Sequence, residues 1–479
     1  MPCCLLLVLL MQITPATALE DVYRTLQPTP LETPEELQAF YQPAINETRG
    51  GDKMQRLHLR LGRAARDGVP FKACVMGHRG VGKSTELSRL IQQVKESFNP
   101  IRFSATTALD PGNFRPLDVV LLMMAEVAEH TAKPIDKGGT GKPPSEARLK
   151  DIWNWFASEE ITRTQAQEMT ASLEAGAGGE KDSLWAKVIG LFATLKGEIK
   201  YASTRQATLV EYRLTRLTSL IDVANKLLDE CNQKLKETCG KQWLFVGEDF
   251  DKAGITTDRI EELFITYANI FQDLRTHLIF NLPIGLYYSD KALRLPFTGD
   301  CSFVIPDTPV YHQDHSANAL GRDALVKVLE ARMSLDLFEP DQMTRLIVAS
   351  GGNLRDLFTL VNYAADTALL RGASQINTTD VNGAIVNLRS DYERRLGQSP
   401  FDRETITYNQ KATRLVEVYQ GDNDAKVPDG VMYSLLNARA IQEFNGKRWF
   451  GVHPLVVDIL ADQDRLSPNL AGEVVGGTV

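Results

Sequence analysis

Cysteine, basic charge and long apolar runs are all scarce in this chain. Six cysteines occur in 479 residues, and apart from Cys3/Cys4 and Cys231/Cys239 they lie far apart. With no CxxC and no Cys/His zinc spacing, neither a metal finger nor a dense disulfide framework is indicated, and the cysteines read as reduced thiols. Lys and Arg number 53 against 61 Asp and Glu, a net charge of −8; this argues against an obligate nucleic-acid binder. No apolar run reaches the ~18 residues that read as a membrane span, so no transmembrane helix is expected. No internal repeat and no Ser/His/Asp or Cys/His set is recognisable. What remains is the composition of a soluble globular protein, 43% hydrophobic and 24% charged, long enough for about three domains.

Against that background one stretch stands out. "MGHRGVGKSTEL" (76–87) fits G-x-x-x-x-G-K-[ST] in full, with Gly77, Gly82, Lys83 and Ser84 at the fixed positions. Glycines let backbone N–H groups turn toward phosphate oxygens with no Cβ in the way. Lys83 supplies a point charge for the β- and γ-phosphates, and the Ser84 hydroxyl is a ligand for Mg²⁺. The apolar run "FKACVM" precedes the loop and an amphipathic helix (Leu87, Leu90, Ile91, Val94) follows it, the context in which a helix N-terminus receives an anion. Gly77, Gly80, Val81, Gly82, Lys83, Ser84 and Thr85 form the expected nucleotide-binding loop.

Further apolar runs predict strands at 100–106, 243–249, 277–283 and 301–310, separated by helical stretches. That alternation predicts an α/β fold with a parallel sheet. The interval between the second and third strands is too long for a simple crossover, so a mostly helical insert is expected at 134–235. It opens on "KPIDKGGTGKPPSE" and includes the flexible-looking "EAGAGGEKDS" (174–183). It contains "LWAKVIGLFATLKGEIK" and a long amphipathic helix through "TLVEYRLTRLTSLIDVANKLLDECNQKL". Their apolar faces are read as packing surfaces, with a partner-facing or membrane-facing role as alternatives. Upstream, residues 21–65 read as a helical segment in which Thr33 caps the helix starting at Pro34. The core is expected over 66–315, an all-helical unit over 316–398, a small unit over 399–465 and a disordered tail over 466–479. In the small unit helices precede Asn445-Gly446, a strong hairpin signal, which together suggest a winged helix.

"LFVGEDFDK" puts Glu248, Asp249 and Asp251 just past an apolar strand. In a parallel sheet that strand end faces the same crevice as the glycine loop. Three acids buried together would repel, whereas beside Mg²⁺ and a phosphate chain they make sense.

The two motifs together resemble the additional-strand P-loop ATPases, in particular the AAA+ and STAND groups of the origin-recognition (initiator) type. Those families usually place Asp first after four apolar residues; here Gly247 is followed by Glu248. The resemblance implies a P-loop NTPase core with a helical lid and a C-terminal winged-helix domain, binding ATP and Mg²⁺. It implies Glu248 as the Mg²⁺-organising acid and Asp249 as the acid that polarises water. "SGGNLRDLFTLV" is similar to a sensor 2 motif and places Arg355 where a lid arginine reports the γ-phosphate. Asn281, at the end of the fourth strand, sits at the sensor 1 position. Arg49, in "ETRGGDKMQRL", is similar to a segment lying near base and ribose. An arginine finger is usual in oligomeric relatives; Arg213, Arg216 and Arg332 are candidates, each read first as a surface or packing arginine. His453 is read as structural.

The function implied is a Mg²⁺-dependent ATP-driven switch acting through a protein partner, an effector encoded nearby, or nucleotide-dependent self-assembly. Two alternatives stand: a DNA-associated initiator-like or transposition-helper ATPase, and a nucleotide-bound scaffold with negligible turnover. Ten acids against eight basic residues from Phe401 to Arg465 weigh against the first, because a DNA-reading wing needs a basic patch. A protein using ATP is expected in the cytoplasm. The start "MPCCLLLVLLMQITPATALE" (residues 1–20) opposes that reading, with an apolar run and a cleavage-like Ala16-Thr17-Ala18. No Lys or Arg precedes the run, and Met11 offers an ordinary soluble start. A leader or misassigned start is therefore expected, with a secretory signal or weak anchor as alternatives, and the sequons at Asn46 and Asn377 carry no weight.

Overall fold

Five strands with buried side chains make one parallel sheet: β1 (Lys72–Gly77), β2 (Phe98–Ser104), β3 (Gln242–Glu248), β4 (His277–Pro283) and β5 (Ser302–Val304). The computed structural model describes residues 13–157, 184–201, 216–252, 254–289, 291–297, 301–399, 402, 404–444 and 449–466. The strand order is β2-β3-β4-β1-β5, with every pairing parallel. The runs ACVM and WLFV are continuously apolar because both faces of the sheet are covered. β4 lies between β1 and β3, so the loops leaving these three C-terminal ends open into one crevice. The fifth strand is shorter than expected. It ends at Val304, and Pro306 and Pro309 beyond it cannot donate to a ladder.

On one face lie α2 (Lys53–Asp67) and α3 (Lys83–Val94), preceded by α1 (Pro34–Phe40). Thr33 and Glu36 form the capping box that starts α1. Leu57, Leu61, Leu87 and Leu90 bury against Val75, Leu244 and Ile279. The other face carries α4 (Pro116–Ala132), which is apolar nearly all round and buried along most of its length, as such a helix must be. The insert encloses it with α5 (Glu146–Ala157), α6 (Leu184–Lys200) and α7 (Leu217–Cys239). Val188, Phe192 and Leu195 of α6, with Leu220, Leu227 and Leu228 of α7, share a core with α4 and Trp243. Over the described residues of α6 and α7, the amphipathic faces that could have met a partner or a membrane are covered within the chain. The stretch 174–183 and the first part of the expected long helix lie outside the described residues.

Gly247 interrupts an otherwise apolar strand for a packing reason. A Cβ there would stand 2.6 Å from Phe280 Cδ1 and 2.9 Å from Phe103 Cζ. Both rings belong to an aromatic cluster with Phe250, Phe264 and Phe271. Gly247→Ala is expected to destabilise the fold by about 1–3 kcal/mol through overpacking. Urea denaturation checks this; an unchanged midpoint would show that the rings yield freely.

Beyond the sheet, α8 (Ala319–Glu330), α9 (Gln342–Ala349), α10 (Leu354–Leu370) and α11 (Thr378–Leu396) form a helical unit. It is followed by α12 (Tyr408–Tyr419), α13 (Gly430–Asn437), the hairpin β6 (Ile441–Phe444) and β7 (Trp449–Val452), and α14 (Pro454–Asp462). The hairpin is antiparallel with Phe444 opposite Trp449; its Asn445-Gly446 turn lies outside the described residues, as does the tail after 466. The helical unit and the C-terminal unit share one hydrophobic core, with Leu357 and Tyr392 beside Leu435 and Leu455. The N-terminal segment joins the same core through Leu19, Val22 and Leu26. Ala16 N donates to Arg332 O and Ala16 O accepts from Ser334 N, a long-range contact invisible to sequence periodicity. Among the described residues no helix is long and apolar enough to cross a membrane.

Candidate functional site

Residues 77–84 run from β1 into α3. Gly80 and Gly82 hold φ of 93° and 95°, a region that side chains with a Cβ avoid. At Gly80 a Cβ would also meet Asn353 Oδ1 at 2.3 Å and Arg355 Cβ at 2.6 Å, because the start of α10 rests on the loop. Val81 is fully buried. The Lys83 ammonium donates to Gly77 O and His78 O, each at 2.8 Å, and pairs with Asp251 at 2.7 Å. These three oxygens use all of its donors. Thr85 ties the N-terminal segment to α3, its hydroxyl accepting from Leu31 N at 3.1 Å.

Glu248 closes β3. Its Oε1 accepts from Arg102 Nε at 2.7 Å. Burial raises its carboxyl pKa, while Arg102 and the hydrogen-bonded Ser84 hydroxyl hold it down. Asp249 adopts φ 68°, a left-handed conformation that Asp tolerates better than most residues. This turn breaks the strand alternation. Phe250 enters the aromatic core and Asp251 comes back to Lys83. The Asp249 carboxylate itself accepts from Ser104 Oγ at 2.5 Å and pairs with Lys252 at 2.9 Å. The acid that meets Lys83 is thus Asp251 rather than Asp249. The sequence displays both in one cluster, and only the turn separates them.

Asn281 lies opposite Val75 of β1, buried, with no hydrogen-bond partner at Oδ1. Arg49 is buried as well: Nε donates to Thr308 Oγ1 at 3.1 Å and one terminal nitrogen has no partner. Burial lowers the Arg49 pKa, with Asp307 as the largest opposing charge. Arg355 opens α10, its N donating to Gly80 O at 3.3 Å. Burial, then Arg79 and Arg439 nearby, lower its guanidinium pKa. Lys83, Ser84, Thr85, Asp249, Asp251, Asn281, Arg49 and Arg355 all line one cavity of about 1270 Å³. Its far wall is apolar, with Phe40, Ile45, Val328, Leu354 and Phe358.

Arg332, an arginine-finger candidate read first as a surface or packing arginine, belongs to that wall. It donates to Phe40 O and Val328 O at 2.9 and 3.0 Å and lies 5.1 Å from both the Phe40 and Phe358 ring centroids. Burial lowers its pKa to about 10. So enclosed, it packs its own chain and cannot reach into a neighbour. Arg216 sits 5.5 Å over the Trp155 ring in the insert, and Arg213 lies outside the described residues.

A buried polar network behind the loop joins it to the C-terminal unit. His78 Nε2 accepts from Glu443 N at 3.3 Å, and burial lowers its pKa to about 3, so it is neutral. Asn353 Nδ2 donates to Arg79 O at 2.9 Å and to Asp307 Oδ1 at 3.1 Å. Arg439 pairs with Asp356 at 3.0 Å and donates to Asn353 Oδ1 at 3.2 Å. Tyr392 donates to Asp356 at 2.7 Å. His453 caps α14 by accepting from Leu455 N at 3.3 Å and stacks on Tyr392 at 4.1 Å. These residues come from well-separated segments, with no local pattern to announce them.

No family model and no curated protein matches the sequence. Among solved structures the chain is similar to the ORC1 protein of Aeropyrum pernix in complex with DNA, at 15% identity over 81% of this chain and 76% of that one, TM-score 0.36. It is similar to Cdc6p of Pyrobaculum aerophilum, at 12% identity over 88% and 92%, TM-score 0.34. It is also similar to a Walker-type ATPase of Pyrococcus abyssi, at 12% identity over 91% and 99%, TM-score 0.41.

Proposed function

We propose that the chain is a Mg²⁺-dependent ATP-binding switch that hydrolyses ATP and acts through protein partners or self-assembly. One observation carries the reading: a glycine loop with its lysine, Ser84, the buried Asn281 amide and the Arg355 guanidinium all open on one cavity, with Glu248 hydrogen-bonded to Ser84 at its edge. The cavity is charged at the loop end and apolar at the other, which suits a triphosphate joined to a flat base. The donor set fits the ligand. Gly80 and Gly82 hold the positive φ of a tight turn that aims backbone N–H groups inward, and Lys83, Arg49 and Arg355 offer cationic donors.

For the metal, no group of three or more His, Cys, Asp or Glu that could hold an ion exists among the described residues. Ser84 and Glu248 suit an ion that arrives with the nucleotide, since Mg²⁺ takes few protein ligands beside substrate phosphates. When bound, the ion neutralises phosphate charge. The protein's own part is positioning. Lys83 and the loop N–H groups orient the phosphate chain, Asn281 and Arg355 face its outer end, and the apolar wall holds the base.

Asp251 is the acid we assign to both rest and reaction. A phosphate chain has to compete with it for Lys83, and once displaced its carboxylate stands at the phosphate end, free to orient water. Asp249, held by Ser104 and Lys252, positions that turn. Asp251→Asn is therefore expected to tighten ATP binding about 3- to 10-fold by weakening the competing ion pair, and to lower turnover at least about tenfold by removing the base. Equilibrium titration with a fluorescent ATP analogue, with and without Mg²⁺, and steady-state phosphate production check both. Absence of saturable binding by the wild type would sink the whole reading.

A winged helix that read DNA would present the helix before its hairpin. Here that helix, α13, faces the core: Tyr433 donates to Thr257 Oγ1 at 3.3 Å, and a Cβ on Gly285 would stand 3.0 Å from Asn437. This favours a protein-directed role.

A further inference from the structure

Behind the glycine loop lies a second open cavity, of about 1520 Å³, between the loop, the β3 tip, the end of α11 and α13. Six cationic side chains line it: Arg79, Lys252, Arg355, Arg394, Arg395 and Arg439. Three of them are already paired: Lys252 with Asp249 at 2.9 Å, Arg439 with Asp356 at 3.0 Å and Arg394 with Asp391. The two acids in the lining are also committed, Asp251 to Lys83 at 2.7 Å and Asp402 to Lys411 at 3.6 Å.

Among the described residues, Arg79, Arg355 and Arg395 form no ion pair. One Arg395 terminal nitrogen is buried without a hydrogen-bond partner, while its guanidinium sits 4.7 Å over the Tyr392 ring. Three guanidiniums without a direct ion pair line one partly enclosed space. Asp251 and Asp356 attract Arg355, and Asp356 attracts Arg395, only beyond ion-pair distance, and the excess of cations in the lining focuses a positive field. They approach from the loop, the start of α10 and the end of α11. Forked donors converging from three sides match a tetrahedral oxyanion better than a planar carboxylate, which is served by one fork.

We propose that this cavity is a second anion site, for orthophosphate or a polyphosphate, adjoining the nucleotide cavity, with which it shares Arg79, Asp251, Lys252 and Arg355. The shared chemistry admits two sources: phosphate leaving after ATP cleavage, or a separately added polyanion. The proposal goes beyond the nucleotide reading and is testable without it.

The test titrates inorganic pyrophosphate onto the full-length chain saturated with Mg²⁺ and a non-hydrolysable ATP analogue. One further equivalent is expected. Arg395→Gln should weaken it at least about tenfold, Arg395→Lys by no more than a few-fold, and affinity for the analogue should not change. Gln398→Glu, on an exposed residue of the lining, adds a carboxylate without disturbing the core and should weaken it similarly. If the analogue fails to bind, the nucleotide reading falls, yet pyrophosphate alone should still bind in an Arg395-dependent way. No additional equivalent, or one indifferent to both Arg395→Gln and Gln398→Glu, overturns the proposal. Single-turnover phosphate release separates the sources. A departing product predicts altered release with unchanged cleavage in Arg395→Gln; a separate effector predicts unchanged release and tighter binding of pyrophosphate than of orthophosphate.

Discussion

Lys83→Ala is expected to weaken Mg²⁺–ATP binding at least about a hundredfold, or about 3 kcal/mol, and to abolish turnover. The lysine is 5% exposed and is the only cation among the described residues that the loop carbonyls and Asp251 hold together. Its removal has a second consequence that charge counting misses. Asp251, 9% exposed at its side chain, loses its partner, and an uncompensated buried carboxylate costs about 3–5 kcal/mol. The single variant should therefore also melt earlier. Lys83→Ala combined with Asp251→Asn should recover most of that stability and none of the ATP binding, a coupling of about 1–3 kcal/mol between neighbours. Thermal denaturation and nucleotide titration of the three variants check this. Additive stability effects would show that the 2.7 Å pair contributes little, and retained ATP affinity in Lys83→Ala would remove the loop from the binding site.

The second large effect concerns how the C-terminal unit is held. Arg439 reaches Asp356 at 3.0 Å, Asn353 Oδ1 at 3.2 Å and Arg79 O at 3.3 Å, joining that unit to α10 and to the loop itself. Asp356 is 2% exposed, so truncating its partner leaves a buried charge with the Tyr392 hydroxyl, His453 4.0 Å away and the more distant Arg395 as its remaining support. His453 cannot take over, because burial keeps it neutral, with its pKa lowered to about 3. Arg439→Ala is expected to destabilise the docking by about 3–5 kcal/mol. Arg439→Lys should recover only part of that, because an ammonium cannot reproduce the fork. Limited proteolysis across residues 397–407 and denaturant unfolding measure it. Resistance to cleavage equal to wild type would show that the shared apolar core, not the polar network, holds the unit in place.

Both effects rest on contacts of unequal legibility. The glycine loop was readable outright because its chemistry is local: eight consecutive residues carry the turn, the charge and the helix start. The parallel sheet was readable for a similar reason, since short runs such as ACVM and WLFV can be buried on both faces only under crossover helices. The insert's apolar stripes were readable as packing faces, while what they pack on, the uniformly apolar α4, was not singled out by any motif.

Where the sequence left choices open, backbone turns and distant segments made them. The resemblance singles out Asp249 as the water-polarising acid and gives Asp251 no role; a left-handed φ of 68° at Asp249 sends Asp249 toward Ser104 and Asp251 toward Lys83. Arg332 looked like any helix-end arginine until Phe40, nearly 300 positions earlier, closed over it. The network through His78, Asp307, Asn353, Asp356 and Arg439 has no local signature.

By itself, then, the sequence determined the class of fold, the glycine loop and the clustering of acids at a strand tip, because neighbouring residues dictate strand, turn and helix start through their own conformational preferences. Which acid meets the lysine, which arginines are spent on packing and which lack a direct ion pair, and how the C-terminal unit leans on the loop were decided only by tertiary structure. Burial sets the energy of a charge, and burial depends on chain segments that meet in space but not along the sequence.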